Sequence, residues 1–254
     1  MALSIATWNV NGIRARQEQF LEWVGRDRPD VVCLQEIKAK PDQLPEAVCN
    51  LDGYWCYWHG AGGYSGVSLQ LRREAFPEEP KFSHPPFDHE TRVVVAEAGD
   101  LVVASIYVPN GGKDFPAKMD FLGSLARWAG ELRDSGGGGR RVVLAGDMNV
   151  TRTDRDVHPK ELKPFVIGQR PEEREAFEAI LAHGLVDVGR AQDPDNDNLF
   201  TWWAPWRNMR QRNIGWRIDY ILASEALAAT ATSCKVFPEI GTSDHAPVVA
   251  QFGV

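Results

Sequence analysis

Short apolar and β-branched runs recur along the whole chain, separated by segments rich in glycine, proline and polar residues. Runs at 3–7, 31–35, 67–71, 92–97, 101–108, 142–145, 219–222 and 248–252 predict strands. Helical spacing lies between them. In 117–134, Leu122, Leu125, Ala129 and Leu132 repeat at i, i+3, i+7 and i+10, which puts them on one face. Two further helices are predicted at 17–26 and 171–183; Pro171 suits a first turn and Gly184 a C-terminal cap. Gly136 to Gly139 reads as a tether between a helix and a strand. Interleaved strands and helices without a compositional break predict one α/β domain over 1–254, built as two packed sheets with helices outside.

Composition narrows the picture. Hydrophobic residues are 43% and charged residues 25% of 254 residues, an ordinary globular balance that excludes collagen-like, low-complexity and coiled-coil chains. The longest apolar run, 101–108, is far shorter than the roughly 20 residues of a membrane helix, so no membrane partner is expected. The first arginine is Arg14, and Asn9 and Asn11 interrupt the early apolar pattern, unlike a secretory signal; a cytoplasmic location is predicted. Cys33, Cys49, Cys56 and Cys234 form no C-x-x-C pair and read as reduced thiols.

A net charge of −7 argues against nucleic-acid binding through bulk charge. Between 201 and 217, however, four arginines (Arg207, Arg210, Arg212, Arg217) and four tryptophans (Trp202, Trp203, Trp206, Trp216) occur without an acid. That segment reads either as a focused polyanion site or as aromatic core.

Candidate chemistry collects just past the ends of predicted strands. Asn9 follows the first, Glu36 the second, and Asp147 with Asn149 the sixth; Asp219 and Ser243-Asp244-His245 complete a carboxylate-rich set with one imidazole. Oxygen donors with few nitrogens and no thiolate suit a hard cation such as Mg²⁺ or Mn²⁺, which completes its shell with water and substrate phosphate. The inventory therefore points to phosphate-ester chemistry. Three lookalikes fail: the 136–139 glycines lack the Gly-Lys-Ser/Thr ending of a P-loop, and Gly63-Tyr64-Ser65-Gly66 has its second glycine one place early for a nucleophile elbow. In the run Asp193, Asp195, Asp197, Asn198 replaces the turn glycine of a calcium loop.

Seven segments together resemble the exonuclease III family of abasic-site endonucleases. They are Thr7-Trp8-Asn9-Val10-Asn11-Gly12-Ile13-Arg14, Leu34-Gln35-Glu36, Gly63-Tyr64-Ser65-Gly66, Tyr107-Val108-Pro109-Asn110-Gly111, Gly146-Asp147-Met148-Asn149, Trp216-Arg217-Ile218-Asp219-Tyr220 and Ser243-Asp244-His245, in the family's order. The resemblance implies a four-layered α/β sandwich and Mg²⁺-dependent cleavage of DNA 5′ to an abasic site, leaving a 3′-hydroxyl. It further implies Glu36 as the principal metal ligand, with Asn11, where the family often has Asp, and Asp244 on the metal side. Asp147, with Asn149 and Asn9, would orient or deprotonate water. His245, held by Asp219, would contact the phosphate with Tyr107 and Asn110. Trp202, Trp216 and Ile218 match the pocket for the extruded sugar, Trp206 and Lys113 the positions inserted into the duplex, and Arg14, Tyr64, Arg210 and Asn213 backbone contacts. The expected partner is double-stranded DNA containing abasic sites, bound by a monomer. The competing readings are a lipid or inositol-phosphate phosphodiesterase of the wider superfamily and a catalytically silent DNA-binding module.

Overall fold

Two βαβ units organise the molecule. In the computed structural model, which describes residues 2–135, 140–163 and 165–253, β1 (Ala2–Asn9) runs through α1 (Ile13–Asp27) into β2 (Val31–Gln35). These two strands pair in parallel, Ile5 opposite Val31 and Asn9 opposite Gln35. The same arrangement recurs with β7 (Leu101–Tyr107), α3 (Phe115–Ser135) and β8 (Arg141–Asp147), where Tyr107 lies opposite Asp147. A parallel pair needs a crossover, and in each unit the helix supplies it. The predicted 136–139 tether falls outside the described residues.

Around each parallel pair the remaining strands add antiparallel. One six-stranded sheet is ordered β11 (Ala231–Val236), β12 (Val248–Gly253), β1, β2, β4 (Val67–Arg72), β3 (Tyr54–His59). The other is ordered β5 (Lys81–Ser83), β6 (Val93–Ala98), β7, β8, β10 (Asp219–Ser224), β9 (Leu185–Asp187).

Alternation along the inner strands assigns the layers. Ile5, Val31, Cys33 and Leu69 of the first sheet meet Val94, Val103, Val143 and Ile221 of the second in one shared core. The opposite faces of β1, β2, β7, β8 and β10 are also apolar. Ala6, Trp8, Val32 and Leu34 pack under Phe20, Trp23 and Val24 of α1. Val102, Ala104, Leu144 and Leu222 pack under Leu122, Leu125, Ala129 and Leu132 of α3 and Phe177 and Ile180 of α4 (Pro171–Leu181). The result is the four-layered α/β sandwich, two mixed sheets flanked by helices. Each buried Val, Leu, Ile and Phe side chain among these contributes about 1.5–3 kcal/mol relative to exposure, and each alanine less. Burial also pushes the Cys33 thiol up and the Cys234 thiol up to about 12, so both stay protonated and inert; all four cysteines are free.

All eight predicted strands form, with ends shifted by at most a few residues; α1 starts earlier, at Ile13, than the predicted 17. Pro171 opens α4, and Gly184, at φ +80°, follows its end as expected. The strands absent from the sequence prediction are β3, β5, β9 and β11, and these are the four sheet edges. Among the described residues, no helix is long and apolar enough to cross a membrane.

Candidate active site

Because β1, β2, β7 and β8 all run the same way within their parallel pairs, their C-terminal ends bring Asn9, Glu36, Tyr107 and Asp147 to one rim. Strand β10 runs antiparallel to β8 and starts there, with Asp219 opposite Asp147. Only glycine fits before Asp147: a Cβ on Gly146, at φ +153°, would lie 1.9 Å from the Ile106 carbonyl oxygen. Residues at such strand ends are held by the sheet yet face the crevice beyond it.

Asn9 is fully buried and joins the two sheets. Its Oδ1 accepts the Asn11 backbone N–H at 3.0 Å, which orients the amide. Nδ2 then donates to Glu36 Oε1 and to Asp147 Oδ2, both at 2.9 Å. Glu36, Asn11 and Asn149 all adopt left-handed backbone, with φ of +49°, +45° and +50°. Asparagine tolerates this region, whereas for glutamate it costs of order 1–3 kcal/mol, a strain that concentrates at functional sites.

Asp219 accepts from His245 Nδ1 at 2.9 Å, leaving Nε2 turned towards Asp147 Oδ2 at 3.8 Å. Burial disfavours the imidazolium, but the Asp219 and Asp147 carboxylates outweigh it and hold the His245 pKa well above the usual histidine range. Asp147 moves upward because it is buried and faces the Asp219 and Glu36 charges; His245 and Asn9 only partly offset this. Its Oδ1 also accepts the Asn149 backbone N–H at 2.9 Å. Asn149 Nδ2 donates to the Val108 carbonyl at 2.9 Å, and Asn149 Oδ1 accepts from Asn110 Nδ2 at 3.2 Å. Ser243 Oγ donates to the Asn9 carbonyl at 2.7 Å and accepts the His245 backbone N–H at 3.2 Å, which pins the Ser-Asp-His turn to β1. Burial and the Glu36 and Asp147 charges keep the Tyr107 phenol a proton donor.

Lys38 was not singled out by the sequence reasoning, although its place two residues after Glu36 was a signal. Its Nζ lies 2.7 Å from Glu36 Oε2 and donates to Asn11 Oδ1 at 2.6 Å. Burial would raise the Glu36 pKa; the Asn9 and Lys38 hydrogen bonds and the His245 charge prevail and lower it. Asn11 Nδ2 donates to Asp244 Oδ1 at 2.8 Å, and Trp202 Nε1 to Asp244 Oδ2 at 2.9 Å. Asn11 thus shares Lys38 with Glu36 and joins it to Asp244, with the polar atoms of Asn11 and Asp244 already committed to neighbours.

Glu36, Asp147 and His245 each offer a donor atom within 4.8 Å of the others. A Mg²⁺-type ion takes one or two carboxylates and fills its shell with water and phosphate, and a Glu36 carboxylate kept ionised at the crevice fits that demand. The His245 nitrogen does not, because its Nδ1–H is given to Asp219 and the ring is held protonated. A second group, His59, His84 and Asp88, also clusters. Its polar atoms are already matched: His59 to Asp88 at 2.6 Å, and His84 to Tyr57 Oη and the Val93 carbonyl.

Trp202 and Trp216 pair edge-to-face, 5.3 Å between ring centroids, and Trp202 bridges on its other side to His245. The backbone N–H groups of Ile218 and Asp219 both donate to Thr201 Oγ1 at 3.1 Å, so the aromatic wall and the His245 partner share one anchor. Ile218 is almost wholly buried beside them. Tyr64, Tyr107, Asn110 and Lys113 line a groove of about 680 Å³. Tyr64 and Trp206 project, 57% and 60% exposed, and Arg14 and Lys113 are exposed.

Arg210 does something else. Its guanidinium donates to the carbonyls of Pro238 at 2.8 Å, Ser243 at 2.5 Å and Ile240 at 3.2 Å and stacks on Trp203, so it staples the chain before His245, with one N–H of each nitrogen committed to a carbonyl. Asn213 Oδ1 likewise accepts from Trp203 Nε1 at 3.1 Å, inside the same loop. Ser65 Oγ donates to the Glu90 carbonyl and is no nucleophile.

Oxygen donors at the rim of two packed sheets, with one imidazole held by an aspartate, define the chemistry of phosphate-ester hydrolases. A model of the Endonuclease/Exonuclease/phosphatase family matches residues 6–245, and the chain belongs to that family. The exodeoxyribonuclease of Bacillus subtilis (strain 168) is 32% identical over 253 residues, 97% of this chain and 98% of that protein. Recombination repair protein 1 of Drosophila melanogaster is 33% identical over 99% of this chain, which spans 37% of that longer protein. The solved structure of an AP endonuclease from Archaeoglobus fulgidus superposes with a TM-score of 0.86 at 32% identity, covering 99% of this chain and 100% of that one.

Proposed function

We propose that this chain is a single-domain, monomeric, cytoplasmic DNA-repair phosphodiesterase. It hydrolyses duplex DNA 5′ to an abasic site to leave a 3′-hydroxyl, with 3′–5′ exonuclease and 3′-phosphatase action at the same centre. The observation that carries this reading is the Asn9 amide, which holds Glu36 and Asp147 at 2.9 Å each and so converges both sheets on one reaction point beside His245.

In-line displacement at phosphorus needs a positioned nucleophile, charge neutralisation and help for the departing oxygen. Asp147, its carboxyl raised by burial and neighbouring charge, accepts a proton from the attacking water, a role favoured by a pKa near the working pH. His245, protonated and oriented by Asp219, presents Nε2–H to a non-bridging phosphate oxygen. Tyr107 and Asn110 add neutral donors. Mg²⁺, or Mn²⁺ in its place, bound at Glu36 with Asn11 and Asp244 alongside, would neutralise phosphate charge and stabilise the leaving 3′ oxygen.

Selection for damage falls to the Trp202–Trp216 wall with Ile218. A sugar without a base fits against it, and a base adds bulk that a tight apolar pocket excludes. Arg14, Tyr64, Lys113 and Trp206, all exposed, are the DNA contacts in this reading, Tyr64 and Lys113 from the groove that Tyr107 and Asn110 also line. Such an aromatic wall favours DNA over a lipid or inositol head group.

Cleavage of a duplex with one abasic-site analogue tests the reading, beside an undamaged duplex and a 3′-phosphate end, with Mg²⁺ and with EDTA. Incision 5′ to the analogue that EDTA abolishes is the expected result. Hydrolysis of the 3′-phosphate end alone would replace the proposal by a 3′-phosphatase, and no hydrolysis of any of the three would overturn it.

A further inference from the structure

Beneath Asn110 and Asn149 lies an ion pair in which both side chains are wholly buried. Lys118, in the first turns of α3, places Nζ 2.5 Å from Glu173 Oε1, at the start of α4. The same ammonium donates to the backbone carbonyls of Asn149 at 2.7 Å and Asn110 at 3.2 Å. It therefore meets three oxygens, the carboxylate as an ion pair and the two carbonyls through hydrogen bonds. Glu173 Oε2 accepts the backbone N–H groups of Gly168 at 2.7 Å and Arg170 at 3.1 Å.

The two loops so tied are not arbitrary. Asn110 and Asn149 exchange a side-chain hydrogen bond, and Asn149 caps Asp147. A Cβ on Gly168 would lie 3.0 Å from Trp216 Cζ3, so the loop held by Glu173 backs the aromatic wall. The Lys118 stem also fills the space beside Gly111, where a Cβ would lie 2.7 Å from Lys118 Cδ.

A buried ion pair is a weak source of stability, since an apolar pair of like volume often does as well. Two carbonyls facing an apolar side chain, in contrast, lose a charged donor that nothing else replaces. We infer that Lys118 is a positioning residue: its ammonium fixes the backbone of Asn110 and Asn149 and thereby sets the Asn110 amide that meets the phosphate and the Asn149 amide that supports Asp147, while Glu173 serves to keep that ammonium buried and charged. The inference rests on the proposed phosphodiesterase reading for the roles of Asn110 and Asn149.

Three variants separate positioning from stability, with melting temperature, kcat and KM measured on whichever of the three DNA substrates the wild type cleaves. Lys118→Met leaves Glu173 unpaired and lowers both melting temperature and turnover. The double variant Lys118→Met/Glu173→Gln removes both charges while keeping an acceptor for the Gly168 and Arg170 N–H groups and recovers most of the melting temperature, yet kcat stays about 10- to 100-fold down with KM within about 3-fold, the scale expected for sub-ångström misplacement of reacting groups. Glu173→Gln keeps the ammonium on both carbonyls and holds kcat within about 3-fold of wild type. Wild-type kcat in the double variant, or a kcat for Glu173→Gln as low as that of Lys118→Met, overturns the positioning role. Because wild-type activity is read first, its absence counts against the phosphodiesterase reading and is distinguishable from either of these results.

Discussion

Asn9 and Asp147 stand 138 residues apart in the chain and on different sheets, and the Asn9 Nδ2 hydrogen bond to Asp147 Oδ2, at 2.9 Å, joins them across the core. Asp147 also faces His245 Nε2 at 3.8 Å, so the Asn9 amide and the imidazole hold one carboxylate from two sides.

Asp147→Asn and His245→Ala are expected to lower kcat by about 10²- to 10⁴-fold each, the usual contribution of a proton-transfer group. Duplex affinity, measured by fluorescence anisotropy, stays within a few fold for both, because neither residue supplies the bulk attraction for a polyanion. A loss confined to affinity, with kcat intact at saturating DNA, would remove both assignments.

Glu36→Gln withdraws the ligand charge while retaining the hydrogen bond from Asn9. The Mg²⁺ concentration at half-maximal rate is expected to rise by about tenfold or more, as hard cations depend on anionic oxygen. Lys38→Met is expected to move it the other way, since the ammonium 2.7 Å from Glu36 Oε2 no longer competes for that oxygen. Metal titrations of the two variants that shift together would show that Glu36 is not the principal ligand.

Trp216→Ala opens the wall against which the extruded sugar rests. The ratio of abasic-site incision to degradation of undamaged duplex should fall, even if the second rate rises. A purely structural tryptophan would instead cost about 3–5 kcal/mol and depress both rates alike. Trp202→Phe gives a milder comparison, keeping an aromatic ring at the wall while trimming the indole and removing the Nε1–H bond to Asp244. An unchanged ratio in both variants, on protein of confirmed melting temperature, would locate selectivity elsewhere.

Asp156 receives Arg217 Nε at 2.7 Å and Arg190 Nη2 at 2.8 Å, and Arg217 continues to Asp187 with two further bonds. Burial alone would raise the Asp156 pKa, but the two arginines lower it below the ordinary carboxylate value. With the folded value depressed, the stabilisation is present above the unfolded pKa of about 3.9 and is lost as pH falls through the folded one. Asp156→Asn should therefore destabilise by about 3–5 kcal/mol at pH 7, the cost of breaking a buried pair, and progressively less below pH about 4. Denaturant melts across that range check the sign: a penalty that grows on acidification contradicts the network.

What the chain determined by itself is local. Strands β1, β2, β6, β7, β8 and β10 are largely apolar on both faces because each is covered by the opposing sheet and by a helix layer or further chain, and that burial writes long β-branched runs into the sequence; β4 and β12 alternate instead, with Ser68, Gln70 and Gln251 on the second face. Edge strands β3, β5, β9 and β11 have neighbours on one side only, so their residues need not repeat that pattern; Lys81 to Ser83 and Ala231 to Val236 carry mixed polar positions. The residue types of the site were legible for a related reason. Asn9, Glu36 and Asp147 are polar residues ending apolar strands, and a period of two makes such a break visible.

Which of those residues meet was decided only in three dimensions. Asn9 reaches Asp147 because the two sheets face each other, and no spacing in the chain encodes that distance. Arg210 reads as one of four surface arginines in an acid-free segment, yet the packed loop turns it onto three carbonyls. Lys118 sits one residue into the predicted helix 117–134, off the apolar repeat, and only the approach of α4 buries it on Glu173 and two loop carbonyls. Periodicity records how much of a residue is covered, and the identity of what covers it belongs to the tertiary contact.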